Sequence, residues 1–181
     1  MFRYFFVIIF LVLISNSKAE NKDNIIQNLQ NIKNLNFKFE QNINGKIQNG
    51  SCTIEYPKKI YCKYIKSNKI LVSNGRSLVI KTKSSFYRYS LKETPLNLIL
   101  DKDFLIRKIH ISEENITDNN LINFTIIEND NKINVFFNHK TFDLVGWKTK
   151  DIYQNTSMTY ISSIEKNKKI AKNLFKIPSQ N

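Results

Sequence analysis

The chain has 181 residues, with 28 Lys and Arg against 15 Asp and Glu, two His, two Cys and 4 Gly, and a net charge of +13. That length supports one domain with a substantial core, not two. Four glycines leave no phosphate-cradling loop, and Arg3, Arg76, Arg88 and Arg107 form no arginine-rich patch, so the composition argues against nucleotide and nucleic-acid binding.

Met-Phe-Arg is followed by an apolar run from Tyr4 to Ile14 and then by SNSKA, ending at Ala19. A positive start, an apolar stretch and a small-residue ending match a secretory signal cleaved after Ala19. The expected organisation is therefore a signal peptide over 1–19 and one domain over 20–181. The run is shorter than the ~20 apolar residues of a spanning helix, so an uncleaved anchor is the weaker reading. No cysteine follows it to accept a lipid. Loss of Arg3 and Lys18 leaves the mature chain strongly basic, which suits anionic headgroups or an acidic partner. Lys, Asn and Ile crowd the whole chain, however, so compositional bias explains the charge equally well.

In the stretch NKDNIIQNLQNIKNL, Ile25, Ile26, Leu29, Ile32 and Leu35 recur at helical spacing, with Asp23 or Asn24 as the cap. From Phe37 the period becomes two, placing Phe37, Phe39 and Gln41 on one face and Lys38, Glu40 and Asn42 on the other. The next hairpin, GSCTIEYPKKIYCKY, carries both cysteines. Strands paired symmetrically about Pro57 set Ile54 opposite Ile60 and Cys52 opposite Cys62 on one face. In an oxidising compartment that pair reads as a cross-strand disulfide, the alternative being two reduced, buried thiols. The spacing excludes a C-x-x-C redox pair. Zinc has little support, because only His110 and His139 could add ligands and neither lies near the cysteines in sequence.

Further strands are predicted at KILVSN, SLVIKT, SFYRYSL, IRKIHIS, INFTIIE, INVFFN, LVGWKT and SMTYISS, with turns at Asn74-Gly75, Asn129-Asp130-Asn131 and Asn138-His139-Lys140. Roughly ten short strands with few helices imply a large antiparallel sheet, curled or closed. ETPLNLILDKDFLIRK interrupts it: Thr94 caps, Pro95 takes the first helical position, and Leu96, Ile99 and Leu100 lie on a short helix. Asp101-Lys102-Asp103 reads as a helix end or an exposed turn. His110 falls on a strand face and His139 in a turn. The chain closes on an extended tail, KNLFKIPSQN.

No hydrolase elbow or zinc-protease motif occurs, no cofactor is implied, and the carboxylates are scattered, so the chain reads as a binding protein, not an enzyme. Trp147 suits a cavity wall or plain core. Asn115-Ile116-Thr117 and Asn155-Thr156-Ser157 match glycosylation acceptors, as an Asn-rich chain does by chance.

Taken in order, FEQ (Phe39 to Gln41), GSCTIEYP, LVSNGRSLVI, TPLNLIL, DLVGWKTKD and LFKIP resemble the LolA family of periplasmic outer-membrane lipoprotein carriers, from about Asn28 to Pro178. The resemblance implies an incomplete, strongly bent antiparallel β-barrel of about ten to eleven strands, with a helical lid over an apolar cavity. It implies a monomeric periplasmic chaperone that takes acylated lipoproteins from an inner-membrane ABC-type release complex and passes them to an outer-membrane acceptor. Alternation and family placement together put Ile54, Tyr56, Leu78, Ile80, Leu96, Ile99 and Leu100 in the acyl-chain cavity. The TPLNLIL leucines then pack in the empty cavity and yield to ligand, the alternative being a helix packed permanently on the sheet. Well-known members carry an arginine before the first hairpin's proline that bonds to the lid. Here that position is Tyr56, a phenol with one donor and no charge. Either the lid closes less firmly or another group substitutes. The second function class is a periplasmic protein that binds free lipid, or senses misplaced lipoproteins, on the same open barrel.

Overall fold

The computed structural model describes residues 20–117, 120–128, 131–150 and 154–180. The expected signal segment lies outside them. Residues 20–31 form helix α1, in which Ile25 and Leu29 are buried on one face, and Ile32, just past its end, is buried beside them. The helix is already under way at Glu20, so Asp23 and Asn24 lie inside it and do not cap it.

Eleven strands follow among the described residues: β1 (Asn34–Ile43), β2 (Lys46–Glu55), β3 (Lys59–Tyr64), β4 (Ile70–Asn74), β5 (Ser77–Lys81), β6 (Phe86–Ser90), β7 (Glu114–Ile116), β8 (Leu121–Glu128), β9 (Asn131–Asn138), β10 (Leu144–Lys150) and β11 (Thr156–Lys166). All pair antiparallel in one sheet of order β6-β5-β4-β3-β2-β1-β11-β10-β9-β8-β7. The sheet does not close. Strands β6 and β7 are its edges, and the segment joining them carries a 3-10 turn (Leu91–Glu93), α2 (Leu96–Ile99) and α3 (Lys102–Ile111). This is the open, bent barrel with helices that the family resemblance implies, where alternation alone leaves a curled or a closed sheet.

Local chemistry sets the turns. Asn44 and Gly45, with φ of 49° and 85°, form the two-residue turn between β1 and β2, the positive-φ pair that matches strand twist. At the next turn Asn74 Oδ1 accepts from the backbone N–H groups of Arg76 and Ser77, both at 3.0 Å. The β2–β3 register is the one that symmetry about Pro57 gives, with Ile54 opposite Ile60 and Cys52 opposite Cys62.

One predicted strand is a helix. IRKIHIS belongs to α3, and Asp101 starts that helix: its side chain accepts from the Phe104 N–H at 3.0 Å. The alternation of Ile109 and Ile111 is misleading, because Ile111 is 75% exposed while Phe104, Leu105 and Ile109 form the buried stripe. His110 accordingly sits on the exposed side of the last helical turn, where a basic residue suits the helix dipole. The three-residue edge strand β7 carries no sequence pattern long enough to read. In the C-terminal tail, Phe175 lies under the Lys59 ammonium, and Ser179 O accepts from Lys81 Nζ at 2.9 Å.

Helix α1 is pinned to the sheet by polar groups as well as by its apolar stripe. Asn28 Nδ2 donates to Asp143 Oδ1 and to Phe142 O, each at 2.9 Å, and Lys166 bridges Asp143 and Asn28. Burial works to raise the Asp143 pKa, but hydrogen bonds from Lys166 and Asn28 and the Lys166 charge outweigh it and hold the carboxyl below the ordinary carboxylate range. A depressed folded-state pKa means the stabilisation is present above the unfolded value, near 4, and is lost as pH falls through the folded one. Asp143→Asn is therefore expected to cost about 1 kcal/mol at neutral pH. The gap from wild type should close in urea titrations carried below about pH 4; a gap independent of pH would refute the assignment.

Candidate ligand-binding cavity

Strand pleating turns alternate residues of β1 to β6 toward the concave face, and register lines them up across strands. Phe37, Cys52, Cys62, Leu71, Ile80 and Tyr87 are successive partners from β1 to β6 and make one continuous row. Cys52 and Cys62 form a disulfide in that row, with Cα atoms 4.1 Å apart. In the neighbouring row Phe39 pairs with Gly50 and Gly50 with Tyr64, and the two rings meet edge to face at 5.0 Å. Trp147 of β10 meets Phe37 edge to face at 6.3 Å. With Leu96 of α2 these side chains line a cavity of about 410 Å³.

The lining is apolar apart from one band. Gln41 Nε2 donates to Ser157 Oγ at 3.1 Å and to Thr159 Oγ1 at 3.2 Å, and its Oε1 accepts from the Tyr64 hydroxyl at 3.3 Å. Burial pushes the Tyr64 pKa up to about 12, so the phenol stays a neutral donor. The Lys69 ammonium lies 3.6 Å from the centroid of the Tyr64 ring and donates to Gln48. Burial, and then the charge of Lys46, lower the Lys69 pKa to about 8, which leaves it mostly cationic at neutral pH. Apolar walls with a few placed polar groups are the make-up of a small-molecule site. Among the described residues no group of three or more His, Cys, Asp and Glu is arranged for a metal.

The expected cavity residues divide by position. Leu78, Ile80 and Leu96 line the cavity. Ile54, Ile99 and Leu100 are fully buried and sit in the closed core, away from the cavity wall. The reason is that the helices cover the Pro57 end of the β2–β3 hairpin: Lys58 N donates to Leu100 O at 2.8 Å and Tyr56 N to Lys33 O at 3.0 Å. Phe37, Phe39, Leu71 and Lys69 were not anticipated as lining. The first three can be found by extending the Cys52 row and its neighbour across the sheet. Lys69 has no sequence signal to separate it from the other lysines.

Tyr56 does not line the cavity either. Among the described residues its buried hydroxyl has no hydrogen-bond partner, burial raises its pKa, and its ring lies 6.0 Å from Lys102 Nζ. Lys102 in turn donates to Gln30 O at 3.2 Å and Ile32 O at 2.9 Å, tying α3 to the end of α1. The link to the helical cover comes from Lys58, two residues on. Its ammonium pairs with Asp101 at 3.2 Å, and its N–H holds the last carbonyl of the α2 segment. Thr94 does not cap α2 with its side chain; its hydroxyl donates back to Leu91 O at 2.7 Å.

A family model described as outer membrane lipoprotein carrier protein LolA matches residues 30–178. Among solved structures, an uncharacterized conserved protein from Thermus thermophilus shares the fold, with a TM-score of 0.51 at 4% identity over 90% of this chain and 94% of its own. A LolA superfamily protein from Nitrosomonas europaea aligns with a TM-score of 0.43 at 9% identity, covering 86% of this chain and 97% of its own. A putative outer membrane lipoprotein-sorting protein domain from Vibrio parahaemolyticus gives 0.47 at 8% identity, over 84% and 94%. No curated protein is significantly similar in sequence.

Proposed function

The chain belongs to the LolA family of outer membrane lipoprotein carrier proteins, and on that premise we propose that it carries the acyl chains of lipoproteins across the periplasm. The observation that carries this reading is the apolar cavity between the disulfide-bearing strands and α2. Each methylene withdrawn from water there contributes about 0.8 kcal/mol, enough in sum to hold a cargo that would otherwise aggregate. In this proposal residues 1–19 are a signal peptide removed on export, and 20–181 form the working domain. Cargo comes from an inner-membrane release complex and leaves at an outer-membrane acceptor. Leu78, Ile80 and Leu96 contact the chains directly, while Ile54, Ile99 and Leu100 lie in the buried core and do not touch them.

At about 410 Å³ the cavity is small for the three chains of a mature lipoprotein, so loading requires α2 to move away from the sheet. The Lys58 contacts to Leu100 and Asp101 would set how readily that happens. The same small volume favours a second reading, a carrier of free lipid on this fold.

One experiment separates the two. Inner membranes holding a newly made lipoprotein, incubated with the protein, are expected to yield a soluble one-to-one complex; a matched cargo lacking its acylated cysteine should stay behind. Absence of a complex together with co-purified phospholipid or fatty acid would replace the first reading by the second.

A further inference from the structure

The cavity holds donors and cations but no acid. Its described lining includes Lys69, Lys150, Gln41, Thr82, Ser157 and Thr159, and neither Asp nor Glu. Ser157 and Thr159 are buried, at 5% and 3% exposure, and each accepts from Gln41, which leaves their hydroxyl hydrogens without a protein acceptor among the described residues. Lys69 forms no ion pair among the described residues; its neighbours are the Tyr64 ring and the neutral Gln48 amide. A half-buried ammonium is costly unless something compensates it, and a ring face and one amide leave it able to accept a stronger partner. Register places this polar band alongside the apolar row: Gln41 is two residues beyond Phe39 on β1, and Lys69 directly precedes β4, where Leu71 continues the row. The cavity is thus sorted into an acyl-binding floor and a donor-rich edge.

We infer that the cavity takes an acyl lipid whose head carries an oxyanion, a fatty-acid carboxylate or a phospholipid phosphate, with Lys69 binding that head while the chain lies along the Phe37 to Ile80 row. The inference rests on the proposal that acyl chains occupy the cavity. It adds a charged subsite that a neutral acyl ester does not use.

The test is a displacement titration on the purified, delipidated protein with palmitate and methyl palmitate. Wild type is expected to bind palmitate at least about tenfold more tightly than the ester, as a charge-assisted hydrogen bond to a half-buried ammonium requires. Lys69→Met and Lys69→Gln should erase that difference, and Lys69→Arg should preserve it. Survival of the difference in folded Lys69→Met, or no difference in wild type, overturns the subsite while leaving the acyl cavity intact. If wild type binds neither ligand, the acyl-chain reading itself falls and the subsite with it. Phosphatidylglycerol set against diacylglycerol, which has the same chains and no phosphate, identifies the source of the oxyanion. A Lys69-dependent preference for the anionic lipid supports a phosphate head, and one confined to palmitate supports a carboxylate.

Discussion

Leu96→Asp is expected to leave the protein folded and to abolish cargo capture. Leu96 is only half-buried, on a four-residue helix, with the cavity in front of it. In the empty protein a carboxylate there is hydrated through the open mouth, so the thermal midpoint should stay within about 5 °C of wild type. With a ligand bound, the same carboxylate is pressed into hydrocarbon, a burial of unpaired charge that costs several kcal/mol. Affinity should therefore fall by roughly a hundredfold or more. Ile99→Asp, three residues further on, is expected to do the opposite. Its side chain is fully buried in the core cluster, and a carboxylate there has no water and no partner, so the chain should fail to fold at all. Circular dichroism melts with parallel lipid titrations distinguish the two; wild-type binding by a folded Leu96→Asp variant would remove α2 from the site.

Gly50→Ala should destabilise more than any other single added methyl on the concave face. A Cβ at Gly50 would meet Lys63 O at 2.3 Å and the Phe39 ring at 2.6 and 2.7 Å. The ring is held edge-on against Tyr64 and the carbonyl belongs to the β3 backbone, so neither can retreat cheaply. Overpacking of this kind costs about 1–3 kcal/mol, and here it also pushes Phe39 into the cavity. Gly45→Ala acts by another route, since nothing lies within 4 Å of the added atom but φ is +85°; it should cost about 1–2 kcal/mol through backbone strain alone. Urea unfolding would rank the pair, and Gly50→Ala should in addition weaken lipid binding, which Gly45→Ala leaves untouched. Equal midpoints for Gly50→Ala and wild type would show that β2 and β3 can part locally.

The sheet was legible in the sequence because its two faces differ in chemistry. Phe37 and Phe39 alternate with Lys38 and Glu40, and the Cys62 partner of Cys52 follows from Pro57 alone, whereas Leu35, expected on the helix, belongs to β1. The helix α3 was hidden because a few residues can satisfy both periods; its cap, Asp101, lay among charges that suit a turn equally well. Cavity residues were harder still. Alternation says which face a side chain occupies, but not whether that stretch of the face lies under a helix or over empty space. Ile54 and Cys52 share a face two residues apart, yet only Cys52 borders the cavity. Tyr56 left open whether another group holds the helical cover; Lys58 does, through its ammonium on Asp101 and through a main-chain N–H that leaves no trace in residue type.

The spatial order of the strands bears on when this protein can fold. β1 and β11 lie side by side at the centre of the sheet, so the pairing that joins its two halves spans almost the whole described chain. Among the described strands β11 is also the last to be synthesised, and on the proposed export route it is the last to cross the membrane. Until it arrives, β1 offers one uncovered edge and β10 another, and non-local pairing of this kind is slow to form. If the chain is exported as proposed, its own connectivity keeps it open in the translocation channel, and the sheet is completed only after β11 has emerged.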